Sequence, residues 1–282
     1  MTELRLEGVS FSYPDGTHAL VAVDLTIEPG AALALIGANG SGKTTLARQL
    51  DGLLRPSAGR VLLDDADIAG LRVAQLARSV GLSFQLPERQ IFNSNVRSEV
   101  EFGPRRLGLN DEEAFARTTA ALQRVGMADQ LGTHPADLGE TRRKLLALAS
   151  VLAMETPVIV LDEPTTGLDA RGVALVGDII RELVAEGRSV VGISHDLRFV
   201  AETFDRVALL DRGRIALTGS PAEVFAEESW PTLRTAGLEP PAAAVTGARL
   251  GLGSTPTEDA LVSALPVSYT HLTLPTNTVT CG

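Results

Sequence analysis

The segment Gly37-Ala-Asn-Gly-Ser-Gly-Lys-Thr-Thr45 constrains this chain most. It sets Gly37, Gly42, Lys43 and Thr44 at the fixed positions of Gly-x-x-x-x-Gly-Lys-Ser/Thr. The apolar run at residues 32–36 predicts a buried strand before it, and residues 45–50 predict the start of a helix after it. Gly37, Ala38, Asn39, Gly40, Ser41, Gly42, Lys43, Thr44 and Thr45 are therefore expected to curl and point successive N–H groups inward. Those amides and the helix N-terminus make a cradle for a polyphosphate. Lys43 is expected to reach the β- and γ-phosphates, and the Thr44 hydroxyl to take a place on Mg²⁺. A Gly-rich turn with a chance lysine is the plain alternative, and the strand–loop–helix setting disfavours it. The chain is expected to bind a nucleoside triphosphate.

Composition narrows what it does with one. The 282 residues suffice for one large domain or a core with a subdomain. A net charge of −10 argues against a nucleic-acid binder that works through a broad basic face. No apolar run is long enough to cross a bilayer, and residues 1–6 do not read as a signal peptide. The one cysteine, Cys281, excludes an internal disulfide and fits a reducing cytosol. Residues 267–272 are what GTC TCT TAT ACA CAT CT encodes, which resembles the end of a common sequencing transposon. Residues 267–282, with His271 and Cys281, are read as adapter-derived, the alternative being a polar Thr-rich tail.

Along the chain, residues 3–9 alternate as an edge or half-exposed strand does, and Pro14-Asp-Gly16 signals a turn before a second strand at 20–27. Tyr13 stands beside that turn. It reads equally as an aromatic stacked on a nucleotide base or as a half-buried strand-end residue. A strand at 79–84 ends at Gln85, whose amide can reach Mg²⁺ or the attacking water. Residues 88–155 show no strand pattern and read as a helical insertion. Gly103-Pro104 is expected to break the chain there, Asp111 to cap a helix whose apolar face is Phe115, Thr119, Leu122 and Val125, and residues 142–154 to form another helix.

A buried strand at 158–161 then presents Asp162 and Glu163 at its carboxyl end, where ligands of open α/β sheets sit. Asp162 is expected to hold Mg²⁺, directly or through water. Glu163 is expected to orient or deprotonate water attacking the γ-phosphate. The strand at 189–193 likewise ends at His195, whose imidazole can bond the γ-phosphate. Two acids in a solvated turn, and a lone histidine at the surface or satisfied in the core, are the plain alternatives. A phosphate loop about 120 residues before Asp162 makes the functional reading stronger. Residues 207–217 read as a hairpin, Pro240-Pro241 and the alanines after it as a linker, and 257–265 as a small terminal helix.

The order of these motifs resembles the ATP-binding cassette (ABC) ATPases over about residues 2–225. Tyr13 matches their base-stacking aromatic, Gly37 to Thr45 the Walker A loop, and Gln85 the Q-loop. Asp162 and Glu163 match Walker B with its catalytic acid, Asp169 the D-loop, and His195 the switch histidine. Within the family the run from Phe84 through Gln90-Ile-Phe92 to Phe102-Gly-Pro104, with the tail at 250–265, is most similar to the energy-coupling-factor importers. The resemblance implies an α/β P-loop NTPase (RecA-like) core with an antiparallel β subdomain and an inserted α-helical subdomain. It implies an ABC ATPase domain at 1–235, with the helical part at about 88–155, and a short extension at 236–266. It further implies ATP and Mg²⁺, a second cassette, a transmembrane coupling subunit and a substrate-binding membrane subunit, no nucleic acid, and a place on the cytoplasmic face of the membrane. The cargo class would be a vitamin or a transition-metal ion. Other transporter cassettes, soluble cassettes acting on ribosomes or DNA repair, and an ATP-binding regulator are the rivals.

One segment departs from the family. Its Leu-Ser-Gly-Gly-Gln signature falls on Leu138, Gly139, Glu140, Thr141 and Arg142. The serine hydroxyl is missing, and a carboxylate stands where a partner's triphosphate approaches in the resemblance. Two like charges about 4 Å apart repel by roughly 4 kcal/mol at an effective dielectric near 20. Arg142 and Arg143 offset this if they turn inward, and Glu140 does no harm if it points to solvent. The expected assembly is therefore uneven: a heterodimer, or two cassettes on one polypeptide, with one intact and one weak site.

Overall fold

The computed structural model describes residues 2–266. The tail read as adapter-derived, 267–282, lies outside the described residues. The strands are β1 (Leu4–Ser12), β2 (His18–Ile27), β3 (Ala32–Ile36), β4 (Ala58–Leu63), β5 (Ala66–Asp67), β6 (Val80–Ser83), β7 (Val158–Asp162), β8 (Ser189–Ile193), β9 (Arg206–Asp211) and β10 (Arg214–Gly219). The helices are α1 (Lys43–Leu50), α2 (Val73–Leu76), α3 (Val96–Arg106), α4 (Asp111–Arg124), α5 (Glu140–Leu152), α6 (Ala170–Ala185), α7 (Leu197–Thr203), α8 (Pro221–Val224), α9 (Trp230–Thr235), α10 (Ala242–Arg249) and α11 (Glu258–Ala264). None is long and apolar enough to cross a membrane, among the described residues.

A six-stranded sheet in the order β10-β9-β3-β8-β7-β6 is parallel except for β10. Its inner strands are apolar on both faces because both faces are covered. Ala32, Ala34 and Ile36 of β3 pack with the helices, as do Ile159 and Leu161 of β7. Leu33 and Leu35 of β3, with Val158 and Val160 of β7, pack toward the second sheet. That sheet is antiparallel and runs β2-β1-β4-β5. β1 is thus an inner strand that is half exposed by face, not an edge. The P-loop NTPase core, antiparallel layer and helical insertion match the expected fold class.

The insertion differs in detail from the sequence reading. Gly103 and Pro104 do not break the chain; both lie inside α3. Proline forfeits one helical N–H bond, but Pro104 is buried on the face that holds Val96 and Val100. A Cβ on Gly103 would stand 2.6 Å from Met154 Cγ, so the helix seats closely here. Arg105 Nη2 donates to Glu101 Oε2 at 3.1 Å over the same turn. Packing overrides propensity. The cap of α4 is Asn110, not Asp111: Asn110 Oδ1 accepts from Glu113 N–H at 2.9 Å, and Glu113 Oε2 accepts from Asn110 N–H at 3.1 Å. The buried face of α4 is Ala114, Thr118, Ala121 and Leu122. Val125 is buried beyond its end, but Phe115 faces out, under the Arg97 guanidinium at 4.6 Å. The alanines after Pro241 form α10 rather than a linker, because proline starts a helix and alanine sustains one.

The end of α1 carries a strained charge. Asp51 is buried, and Oδ1 accepts from Leu53 N–H at 2.9 Å. Burial pushes its carboxyl from 3.8 up to about 6, opposed in part by the Leu53 amide and Arg48. The folded pKa lies above the unfolded one, so the penalty is full above about pH 6 and fades as pH falls toward 4. Asp51→Asn, which can still accept from Leu53, is expected to raise the unfolding free energy by about 1–3 kcal/mol at pH 8. Urea titrations at pH 8 and pH 5 check this; a gain that does not shrink at pH 5 contradicts it.

Candidate active site

Parallel pairing brings the ends of β3, β6, β7 and β8 to one sheet edge. The ladder runs past the strands: Ser194 N–H donates to Leu35 O at 3.4 Å, and Glu163 N–H to Ile193 O at 3.0 Å. The loop after β3 then turns into α1. At Gly37 a Cβ would lie 2.2 Å from Leu210 O, and at Gly42, with φ +109°, it would lie 2.4 Å from Ala19 O. Only glycine fits either place. Gly42 caps α1 without a side-chain bond, so the first helical amides stay available to an anion. The Ser41 hydroxyl is buried and has no hydrogen-bond partner among the described residues.

Of the candidate side chains, Tyr13, Lys43, Thr44, Gln85, Asp162 and Glu163 border one cleft of about 310 Å³. Asn39, Gly40 and Thr45 also border it. Lys43 Nζ donates to the carbonyls of Gly37 at 2.7 Å and Ala38 at 2.9 Å, across the mouth of the loop. Burial lowers its pKa, and Glu163 and Asp162 oppose that. Thr44 Oγ1 donates to Asp162 Oδ2 at 3.2 Å. Burial raises the Asp162 pKa, with the Thr44 bond opposing. A hydroxyl and a carboxylate side by side, with the Gln85 amide on the same wall, are hard oxygen donors that suit Mg²⁺. The donor set fits that ion.

Glu163 has φ +52°, unusual for a side chain of its size. Its carboxylate is 11% exposed, and Oε2 accepts from Thr166 Oγ1 at 3.1 Å and pairs with His195 Nδ1 at 2.8 Å. His195 is 64% exposed and reaches the cleft through this pair. Tyr13 hangs between two uses: its ring packs edge-on against Phe11 at 5.0 Å, and its hydroxyl meets Thr45 Oγ1 at 2.9 Å. Both fix the ring at the cleft wall.

The departing segment is a helix N-terminus. Gly139 caps α5 with no side-chain bond, and a Cβ there would meet open space. Glu140 is exposed, and its Oε1 would lie 3.3 Å from a Cβ on Gly167. Arg143 does not turn to it: Arg143 Nη1 donates to Leu138 O at 2.9 Å, and Nε lies 3.8 Å from Glu88 Oε1. Arg142 is exposed, and Thr141 is half-buried beside it. Asp169 caps α6, accepting from Gly172 N–H at 2.8 Å.

The roles of three residues escaped the sequence reading, which named Gln90 only within the run at 84–92. Gln90 Oε1 accepts from Phe84 N–H at 3.1 Å while Nε2 donates to Ala147 O at 2.6 Å and Ser150 Oγ at 2.8 Å, tying the loop of Gln85 to α5. Lys144 Nζ donates to Glu163 O at 3.4 Å and to Thr166 O. A lysine four residues after Glu140 on a helix reads as a surface i,i+4 partner, so the sequence held no sign of these bonds. His18, which also borders the cleft, had no signal.

Across residues 20–166 the chain matches the family model described as ABC transporter. The chain belongs to that family. The cassette carries its ATPase domain. It is 39% identical over 224 residues to the energy-coupling factor transporter ATP-binding protein EcfA of Methanothermobacter thermautotrophicus, covering 79% of this chain and 72% of that one. A protein of Methanosarcina acetivorans, named as an ABC transporter ATP-binding protein, is 41% identical over 236 residues, 84% of this chain. The cassette spans only 38% of that relative's length. Among solved structures, cbiO1 from Clostridium perfringens, part of the ABC transporter complex cbiONQ, superposes with a TM-score of 0.74 at 35% identity. That match covers 88% of this chain and 96% of the other.

Proposed function

We propose that the cassette is the ATP-hydrolysing subunit of an energy-coupling-factor importer that takes up a vitamin or a transition-metal ion. The observation that carries this is one cleft in which Lys43, Thr44, Asp162 and the Glu163–His195 pair meet. Likeness to EcfA and to cbiO1 supports the importer class. The segment 84–104, with Phe92 and Phe102 exposed and stacked edge-on at 4.8 Å, supports contact with a transmembrane coupling subunit. A substrate-binding membrane subunit then chooses the cargo, and the cassette works at the cytoplasmic face. The domain limits follow the resemblance: a cassette at 1–235, an extension at 236–266, and a foreign tail beyond.

In this reading Tyr13 packs on adenine. The amides of residues 37–45 and the N-terminus of α1 hold the phosphates, while Lys43 leaves the Gly37 and Ala38 carbonyls for the β- and γ-oxygens. Thr44 and Asp162, with Gln85, would hold Mg²⁺, which neutralises phosphate charge when bound. Glu163 accepts a proton from, or orients, the attacking water, and His195 bonds the γ-phosphate. ATP joins two cassettes face to face, Asp169 and the 138–142 segment lying at the boundary. Glu163→Gln is expected to bind ATP, dimerise and lower kcat by at least about a hundredfold. Turnover within threefold of the parent removes Glu163 from the role of base.

The altered signature makes the pair uneven. Gly139 offers no hydroxyl, and exposed Glu140 presents a charge to the partner's triphosphate. The cassette thus supplies one complete half-site and a poor complement to the other. A paralogous cassette, separate or on the same polypeptide, fits this better than a second copy. ATPase assays of the chain alone and of the chain with a paralogous cassette check the point. The mixed pair is expected to be faster; equal rates contradict the asymmetry.

A further inference from the structure

We propose that Lys144 is a positioning residue for Glu163 and couples that acid to the N-terminal end of its own α5. The proposal rests on the reading that Glu163 acts on the attacking water. Lys144 Nζ donates to two carbonyls, those of Glu163 at 3.4 Å and of Thr166. These bracket the loop that carries the acid. Within the loop Thr166 N–H donates to Glu163 O at 3.4 Å, and Thr166 Oγ1 to Glu163 Oε2 at 3.1 Å. The ammonium therefore fixes both ends of the short segment whose side chains set the carboxylate. Glu163 needs such a tie, because a left-handed backbone at a non-glycine residue persists only when its surroundings hold it. A charged donor on a carbonyl is among the stronger ties available.

The tie leads directly to the altered signature. Lys144 stands one helical turn beyond Glu140, and the Glu140 carboxylate borders Gly167, the next residue of the same loop. Glu140, Glu163 and Glu88 are the acids whose charges act on Lys144, while burial lowers its pKa. Lys144 also shares a small cavity with Gln85, Asp162 and Glu163. So α5 is bonded to the loop of Glu163 through Lys144 on the two carbonyls, and Glu140 lies close beside Gly167. A shift of the α5 N-terminus, which faces the partner's nucleotide in the proposed dimer, moves the acid of this chain's own site. The charge that spoils the complement to the partner is thereby part of a clamp within the chain.

The test uses the full chain in its active dimer, with ATPase kinetics and binding of mant-ATP read side by side. Lys144→Met is expected to lower kcat by about tenfold or more, with KM and mant-ATP affinity within about threefold, and Lys144→Arg to recover part of the loss. A kcat within twofold of the parent overturns the proposal. So does a parallel fall of kcat, affinity and melting temperature, which marks a merely structural lysine. Lys144→Gln carries the same test if Lys144→Met fails to fold. The coupling is read from Glu140→Gly combined with Lys144→Met: a kcat more than about threefold from the product of the single effects supports it, and additivity overturns it. Failure of the parent reading is distinct. It shows as parental-level turnover in Glu163→Gln, or as no ATPase in the parent, and then this inference falls with it.

Discussion

Everything at the candidate site depends on the hydrogen-bonded register of three parallel strands. β3 pairs β8 from Ala32 with Val190, and β8 pairs β7 up to Ile193 with Asp162. The bonds from Ser194 to Leu35 and from Glu163 to Ile193 carry that register one residue beyond the sheet. It sets the heights of the phosphate loop, the acid and the histidine to within one residue of each other. A slip of one residue would turn Asp162 into the core and Leu161 into the cleft. The cost of burying the Asp162 carboxylate and the close packing of these buried strands hold against such a slip, so the core and the chemistry are one constraint.

Much of this was legible in the sequence because the signals were local or strongly periodic. Gly37, Gly42 and Lys43 are read from spacing alone, and close approaches to Leu210 O and Ala19 O explain the glycines. Asp162, Glu163 and His195 follow from apolar runs that end in polar residues. The errors cluster in the helical insertion. Pro104 reads as a breaker, yet burial and the contact of Gly103 with Met154 carry α3 through it. Phe115 reads as core, yet Arg97 covers it at the surface. Lys144 and Gln90 act on backbone groups far away in sequence, and no local pattern announces a bond to a carbonyl.

In the proposed dimer Glu140 has two effects. It sets a carboxylate in the first turn of α5, the end that faces a partner's phosphate. It also sets an acid beside Gly167 and a turn away from Lys144, within reach of the loop that orients Glu163. A carboxylate in the first turn favours α5 itself through the helix dipole. Helix stability and phosphate complementarity therefore pull in opposite directions at this position, which is the physical basis of the proposed uneven pair.

The most direct test of the central claim is calorimetric titration of ATP into the chain, with and without Mg²⁺, against the same titration of Lys43→Ala. One saturable triphosphate site per chain is expected, tighter with Mg²⁺ and weakened by at least about tenfold in the variant. Heat that never saturates, or equal affinity in Lys43→Ala, would contradict the reading of the cleft as a triphosphate site.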